Sequence, residues 1–175
     1  MAQTSPQVLV IRLDAIGDAL ALTPLLAALR DRAVPVDLVL TERNRDAFAA
    51  RACRDRFVAP FALRDGSPGN RSAISRFGVE LGRRGYSHVL VATEDPGGYR
   101  LARAVGAAER IGFANGWGKP FKTLWVRSQL TRALFRTAGL DERAPHECSV
   151  LFRLGAALLP PGERPPRDAR ALRPL

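Results

Sequence analysis

Two aspartates, Asp14 and Asp18, follow the apolar run at residues 8–13, and Arg12 lies near the end of that run. Carboxylates can accept a proton from a hydroxyl group or hydrogen-bond to a polar ligand. The planar guanidinium of Arg12 either binds a phosphate or sugar group or pairs with Asp14 or Asp18. Asp14 also fits a local turn role, and Asp18 a helix cap. The three residues predict a polar binding site, with the structural roles as the alternative.

A strand, a loop and a helix must position these side chains. Residues 8–13 are nearly all bulky and apolar, which predicts a strand covered on both faces of a parallel sheet. Leucine and alanine over residues 19–29 favour a helix, in which Pro24 falls in the first turn or marks a kink. Asp18 would then stand at a helix start, at the edge where open α/β sheets bind ligands.

The rest of the chain repeats this alternation of strands and helices. The spacing predicts a Rossmann-like, doubly wound α/β fold with a mainly parallel sheet. In the helix over residues 72–84 we expect Ile74, Phe77, Val79 and Leu81 to be buried. Further strands are predicted at residues 34–43, 56–63, 88–93 and 109–113, an extended stretch at 121–128, and further helices from Asn44 and at 99–107, 130–140 and 146–159.

Composition limits the number of domains and the class of partner. The 175 residues predict one domain at 1–160, followed by a linker or tail rich in proline and arginine at 161–175. No export signal or membrane-spanning run is seen, so a cytoplasmic location is expected. The net charge of +10 favours anionic partners. Specific nucleic-acid binding is not expected, because no basic stripe interleaved with aromatic residues is present.

Four further charged residues are candidates for substrate contacts. Glu94 and Asp95 precede Pro96, where they either line the site or cap the next helix. Lys119 and Lys122 follow a glycine-rich segment, where they either grip an anionic acceptor or form a solvated basic surface. No histidine or cysteine spacing indicates a metal. No dinucleotide cofactor is predicted, because the first loop lacks Gly-x-Gly-x-x-Gly.

Three motifs resemble those of the heptosyltransferases, glycosyltransferase family nine. The first is VIRLDAIGDALALTPLL, in which Arg12, Gly17, Asp18, Thr23 and Pro24 fall on matching positions. The second is GYSHVLV followed by GAAERIGF, and the third is His146-Glu147 at a helix start. The chain departs from the family pattern at Val91 and Thr93, where an aspartate and a glutamine are frequent.

This resemblance implies one half of a GT-B glycosyltransferase, namely the N-terminal, acceptor-side domain. Asp18 would be the catalytic base in inverting transfer of a sugar to a lipopolysaccharide-core-like or other cell-envelope glycan. Gly17 and Thr23 are expected to contact the substrate, and Gly17 would also allow a tight loop and close approach of the ligand. The nucleotide-diphosphate sugar would be held by a C-terminal domain that this chain lacks, so the chain alone is expected to be inactive. Peripheral contact with the anionic inner face of the cytoplasmic membrane is a further expectation. The alternative is a non-catalytic module that binds anionic glycan or lipid surfaces.

Overall fold

The computed structural model describes residues 6–114, 120–136 and 146–165, and these form one parallel sheet covered on both faces. The strand order is β3-β2-β1-β4-β5-β6. The predicted α/β, Rossmann-like, doubly wound fold is therefore confirmed. The strands are β1 (Val8–Ile11), β2 (Val36–Leu40), β3 (Asp55–Val58), β4 (His88–Val91), β5 (Glu109–Ala114) and β6 (Arg132–Phe135).

The described residues also form six α-helices and three short 3₁₀ turns, which connect the strands or follow the last of them. Val8 and Val10 face a core shared with α1, α2 and α6, and Leu9 and Ile11 face a core shared with α3, α4 and α5. The helices are α1 (Ile16–Leu20), α2 (Thr23–Arg30), α3 (Pro68–Gly82), α4 (Pro96–Val105), α5 (Pro120–Gln129) and α6 (Glu147–Phe152), and the 3₁₀ turns are Arg45–Ala47, Ala50–Ala52 and Arg153–Gly155.

Strand β1 lies at the centre of the sheet and determines where a ligand can bind. It pairs with β2 on one side and with β4 on the other, so Val8 is in register with both Val36 and His88. The strand order reverses between β1 and β4, and in sheets of this kind the crevice outside the carboxyl ends of such strands is the usual ligand site. The loops after β1 and β4 carry Asp14, Glu94 and Asp95, three of the residues that the sequence predicted as candidates for a binding site.

The leucine-rich segment after β1 is two helices rather than one. α1 ends at Leu20, and α2 begins at Thr23 with Pro24 in its first turn, where the missing N–H of proline costs nothing. Leu22, Leu25, Leu26 and Leu29 are buried against the sheet. This break leaves α1 as a single short turn at the carboxyl edge, so Asp18 stays near the ends of β1 and β4.

Other predicted elements were wrong in type or in exposure. The helix predicted from Asn44 is replaced by two 3₁₀ turns, residues 121–128 form most of α5 instead of an extended stretch, and the helix predicted at 130–140 is replaced in part by β6. Residues 137–145 lie outside the described part of the chain. Val79 is 57% exposed rather than buried, because it lies on the outer face of α3.

The opposite, amino-terminal edge of the sheet contains a buried carboxylate that the sequence analysis missed. Asp37 in β2 is fully buried and accepts bonds of 2.9 and 2.7 Å from Arg54 and one of 2.5 Å from the Tyr86 hydroxyl. Burial by itself would raise the pKa of Asp37, but the bonds from Arg54 and Tyr86 outweigh it and lower the pKa. This cluster joins β2 to the segments that precede β3 and β4.

The boundary between a domain at 1–160 and a tail at 161–175 stays a prediction. Residues 161–165 form no helix or strand, although Glu163 pairs with Arg32 at 2.6 Å. No helix among the described residues is long and apolar enough to span a bilayer.

Candidate active site

Arg12 is the buried centre of a polar cluster at the carboxyl edge of the sheet. Its side chain is 3% exposed, and its guanidinium donates to the backbone carbonyls of Ala92, just after β4, and Asp18, in α1. Burial lowers the pKa of this guanidinium, and the neighbouring carboxylates oppose that effect. The arginine therefore fixes α1 against the end of β4, which is a positioning role.

Asp14 is the nearest carboxylate to Arg12. One carboxylate oxygen lies 3.3 Å from Arg12 Nη1. Burial raises the pKa of Asp14, while Arg12 and Thr93 act in the opposite direction. Asp14 thus pairs with a cation, one of the two roles expected for Arg12, and a ligand contact by either residue stays a prediction.

Asn44, from the loop after β2, holds the loop between β1 and α1 in place. Its side-chain amide donates to the carbonyls of Arg12 and Asp14 at 3.0 and 2.8 Å, and its oxygen accepts from the Thr41 backbone N–H at 2.8 Å. Asn44 is fully buried. The backbone that presents Asp14 and α1 is therefore tied to the neighbouring loop by two hydrogen bonds, and the third holds the Asn44 side chain to its own loop.

Asp18 is exposed, in the first turn of α1. It is not the helix cap, because Ala15 occupies that position and makes no side-chain cap bond. A carboxylate in the first turn is favoured by the helix dipole. Asp18 is therefore exposed to solvent on a helix that Arg12 holds in place through a hydrogen bond to the Asp18 carbonyl.

Gly17 has a different role from the one expected for a tight loop. It lies within α1, and a Cβ built on it would meet no atom within 4 Å. Its backbone does not have the positive φ that favours glycine. Glycine here leaves open space beside Asp18, and its contact with a substrate stays a prediction.

A second arginine, Arg136, extends the cluster from the end of β6. It pairs with Glu94 at 3.5 Å and with Glu147 at the start of α6, and it lies over the Phe113 ring at 5.5 Å. Glu147 in turn approaches Arg12 to 4.0 Å. Arg136 therefore connects the carboxyl ends of β4, β5 and β6 to Arg12.

Two predicted substrate contacts have structural partners in this fold. The Thr23 side chain is fully buried and donates to the Leu20 carbonyl at 2.8 Å. Asp95 is buried and caps α4, since its carboxylate accepts from Gly97 N–H at 2.7 Å and from Arg64 N–H at 2.9 Å. Capping is one of the two roles that the sequence left open for Asp95, and a substrate contact by either residue stays a prediction.

The remaining residues predicted for the site are the two lysines and the histidine of the His146-Glu147 motif. Lys119 lies outside the described residues, and Lys122 is half-buried in the first turn of α5. His146 caps α6 by accepting from the Cys148 N–H at 3.2 Å. Among the described residues, no group of three or more histidine, cysteine, aspartate or glutamate side chains could hold a metal ion.

The cluster has more acidic than basic groups, although the whole chain has a charge of +10. Two arginines, Arg12 and Arg136, form ion pairs with three carboxylates, and the charge of a fourth, Asp18, acts to raise the pKa of Arg12. Carboxylates accept hydrogen bonds from hydroxyl groups and repel phosphates. The edge is therefore suited to a ligand rich in hydroxyl groups, with an exposed carboxylate available to take a proton. The four acidic residues are Asp14, Asp18, Glu94 and Glu147.

Sequence reasoning found the first part of this cluster and missed the rest. Asn44 was taken as the start of a helix, and Arg136 was one of 27 basic residues without a distinguishing motif. Thr93 was noted only as a departure from the family pattern, yet it acts to lower the pKa of Asp14. The sequence feature that could have identified Glu147 as part of the site was the His146-Glu147 motif.

Comparison with known proteins supports the fold assignment. No protein-family model matches the chain, and no curated protein sequence matches it. Among solved structures, the chain resembles E. coli ADP-heptose lps heptosyltransferase II (TM-score 0.66, 15% identity, 93% of this chain and 44% of the other). It also resembles a glycosyl transferase family 9 protein from Veillonella parvula (0.64, 18%, 90% and 43%) and E. coli heptosyltransferase WaaC with ADP (0.62, 19%, 93% and 49%).

The share of each solved structure that the chain covers indicates how much of those proteins the chain corresponds to. The chain spans less than half of each of these three solved structures, although nine-tenths or more of its own residues are matched. Identities below 20% show the fold and not the activity. The chain has the fold of one domain of the family nine heptosyltransferases.

Proposed function

We propose that this chain is the acceptor-side domain of a heptosyltransferase-like, inverting glycosyltransferase, with Asp18 as the general base. The observation that carries the proposal is an exposed carboxylate on a helix that Arg12 fixes at the carboxyl edge of the sheet. The surrounding carboxylates favour an acceptor presenting hydroxyl groups. The acceptor class is a lipopolysaccharide-core-like or other cell-envelope glycan.

Inverting sugar transfer requires one proton acceptor next to the hydroxyl group of the acceptor. The acceptor hydroxyl loses its proton to Asp18 while its oxygen bonds to the anomeric carbon of the donor sugar. The bond from that carbon to the diphosphate breaks on the opposite face, and the nucleoside diphosphate leaves. Because the edge described above is rich in carboxylates, it disfavours the diphosphate, which supports placing the donor on a second domain.

The donor would be a nucleotide-diphosphate sugar bound by that second domain. One solved relative, E. coli heptosyltransferase WaaC, was determined with ADP and with ADP-2-deoxy-2-fluoro heptose. The chain spans 43–49% of three solved relatives, which is the share expected for one of two similar domains. Transfer is therefore expected only when a donor-binding domain faces Asp18.

The test is a transfer assay on this domain joined to a donor-binding domain, either its own or that of a solved relative. With a nucleotide-diphosphate heptose and a lipopolysaccharide core acceptor, Asp18→Asn should lower kcat about 100-fold or more, because it removes the base. Asp31→Asn is the matched control, since Asp31 is an exposed carboxylate at the far end of α2. If Asp18→Asn transfers at the wild-type rate, Asp18 is not the base.

A binding measurement separates the acceptor assignment from the base assignment. The chain alone, titrated with the core oligosaccharide, should show NMR shifts in the backbone amides of residues 12–18 and 92–95. Shifts confined to other parts of the chain would place the acceptor elsewhere, whatever the effect of Asp18→Asn on transfer.

A further inference from the structure

A pocket of about 240 Å³ opens at the amino-terminal edge of the sheet, opposite the edge that carries the candidate active site. It lies where the end of α2, the start of β2 and the segment before β3 meet. Its apolar wall includes Leu26, Val36 and Ala52, which are buried and belong to the core on the α2 side of the sheet. A dry protein cavity of roughly 150 Å³ holds one benzene molecule, so this pocket has space for a ligand of about ten non-hydrogen atoms.

Backbone hydrogen bonds fix the rims of this pocket. On one side, Val34 N–H donates to the Leu29 carbonyl at 3.0 Å. On the other side, Arg54 N–H donates to the Val36 carbonyl at 2.7 Å. The pocket is therefore formed in the absence of a ligand, which lowers the entropic cost of binding one.

The charged side chains that line the pocket are all arginines, namely Arg30, Arg51 and Arg54. Arg54 pairs with the buried Asp37 at 2.7 Å, and Arg30 pairs with Asp31 at 3.2 Å. The Arg51 side chain is exposed and makes no ion pair or hydrogen bond within the described ranges of the chain. One positive charge of the pocket is therefore uncompensated, and it favours a ligand with a single negative charge.

This combination of an apolar wall and one uncompensated cation distinguishes among anions. A phosphate monoester carries a charge of about −1.5 to −2 at neutral pH, which exceeds the charge that Arg51 balances. A small inorganic anion would leave the apolar wall exposed to water. A carboxylate carries one charge and matches the planar guanidinium through two parallel hydrogen bonds. An attached hydrocarbon group would cover the wall.

We propose that this pocket binds an organic monocarboxylate whose hydrocarbon body has about six to nine carbons. The carboxylate contacts Arg51, and the hydrocarbon packs against Leu26 and Val36. The site is separate from the proposed acceptor site, because Arg12 and Asp18 lie at the other edge of the sheet. Binding requires no donor sugar and can be measured without the transfer reaction.

The test is an NMR titration of the full 175-residue chain with octanoate. The backbone amides of residues 33–36 and 51–54 should shift in a saturable way, with half-saturation at about 1 mM or below. Two analogues separate the contributions, since acetate lacks the hydrocarbon body and 1-octanol lacks the charge. At an equal concentration of about 1 mM, each should give shifts at least about fivefold smaller than octanoate. Octyl phosphate should bind more weakly than octanoate.

Cys53 provides a second measurement, because it lines the pocket. It is half-buried, and burial raises the pKa of its thiol to about 11, so its alkylation by iodoacetamide is slow and sensitive to further covering. Octanoate at ten times its half-saturating concentration should slow this alkylation about tenfold, since only about one molecule in eleven is then unliganded. Mass spectrometry of the Cys53 peptide gives the rate, and acetate should leave it unchanged.

Two arginine variants test the charge assignment. Arg51→Gln removes the uncompensated cation, so it should weaken octanoate binding at least about tenfold and leave the binding of 1-octanol unchanged. Arg71→Gln is the matched control, because it removes an exposed arginine from α3 on the other face of the sheet. It should bind octanoate as the wild type does. Circular dichroism melting curves show whether each variant is folded.

The proposal is overturned if octanoate gives no saturable shifts at residues 33–36 and 51–54, or if Arg51→Gln binds octanoate as tightly as Arg71→Gln does. Equal shifts with 1-octanol and octanoate would also overturn it, since the pocket would then be an apolar surface without a carboxylate site. Tighter binding of octyl phosphate than of octanoate would contradict the single uncompensated charge. None of these outcomes changes the transfer assay, so the two proposals are tested separately.

Discussion

Replacing Arg12 by methionine tests whether this buried arginine holds the candidate active site together. Methionine keeps an unbranched chain of similar length but removes all the guanidinium donors. The carbonyl of Ala92 loses its bond from Arg12, as does the carbonyl of Asp18, and Asp14 loses its cation. The variant should therefore be less stable, and α1 should be less firmly attached to β4.

The size of the effect follows from these contacts. Each hydrogen bond from a charged donor contributes about 1.5–3 kcal/mol, and the unpaired Asp14 adds a further penalty. Removing the buried cation regains part of its desolvation cost. We expect Arg12→Met to lower the free energy of unfolding by about 3 kcal/mol and Tm by about 6–12 °C.

Urea denaturation of the wild type, Arg12→Met, Asp14→Asn and the double variant measures the effect and its origin. Asp14→Asn in the Arg12→Met background should restore part of the stability, because it removes the uncompensated carboxylate, giving a coupling energy of about 1 kcal/mol or more. A loss below about 1 kcal/mol for Arg12→Met would show that these contacts do not hold the site. Strict additivity of the two substitutions would show that Arg12 and Asp14 do not interact.

Two further predictions concern the sheet and the packing of its helices. Because folding lowers the pKa of Asp37, its carboxylate stabilises the fold above the unfolded pKa of about 4, and this contribution is lost as the pH falls through the folded pKa. In urea denaturation Asp37→Asn should cost about 2 kcal/mol at neutral pH, and its difference from the wild type should shrink below about pH 4; a constant difference would contradict this. Gly78→Ala would place a Cβ 2.4 Å from the Ala104 Cβ, so it should cost about 1–3 kcal/mol by forcing α3 from α4. Gly69→Ala, which meets no atom within 4 Å, should be neutral or stabilising, and equal melting temperatures for both variants would refute the packing argument.

The strand-loop-helix opening could be predicted because its physical signal is local. Residues 8–11 are all fully buried, as a continuous apolar run in a parallel sheet requires. The position of Pro24 in a first helical turn follows from its missing N–H. Arg12, Asp14 and Asp18 could be grouped because they lie within one short stretch of sequence.

The segment after β5 could not be predicted, because local preference and tertiary packing disagree there. Phe121, Trp125 and Val126 favour an extended chain, yet the packing of Val126 and Trp125 against the α4 side of the core makes this segment a helix. In the next segment Leu130, Ala133 and Leu134 have a helical spacing. They belong instead to an edge strand and its approach, where partial exposure removes the alternation that marks a strand.

The remaining part of the candidate site depends on contacts between distant segments. Arg136 reaches Glu94 and Glu147 only because β6 pairs with β5 and α6 returns to the same edge. No periodicity in a single sequence specifies which of many arginines will take that place. The exposure of Val79 has a similar cause, since the helix pattern identifies apolar positions but not which of them the neighbouring helix covers.

The bonds made by Asn44 impose a fixed length on the loop that follows β1. Its amide contacts the carbonyls of Arg12 and Asp14 simultaneously, so inserting or deleting one residue between them would separate at least one carbonyl from its donor. Ala15 and Gly17, by contrast, are exposed, and a Cβ at Gly17 meets no neighbour. Protein engineering at this edge should therefore succeed by exchanging side chains on a backbone of constant length, and libraries that vary loop length should lose folded members first.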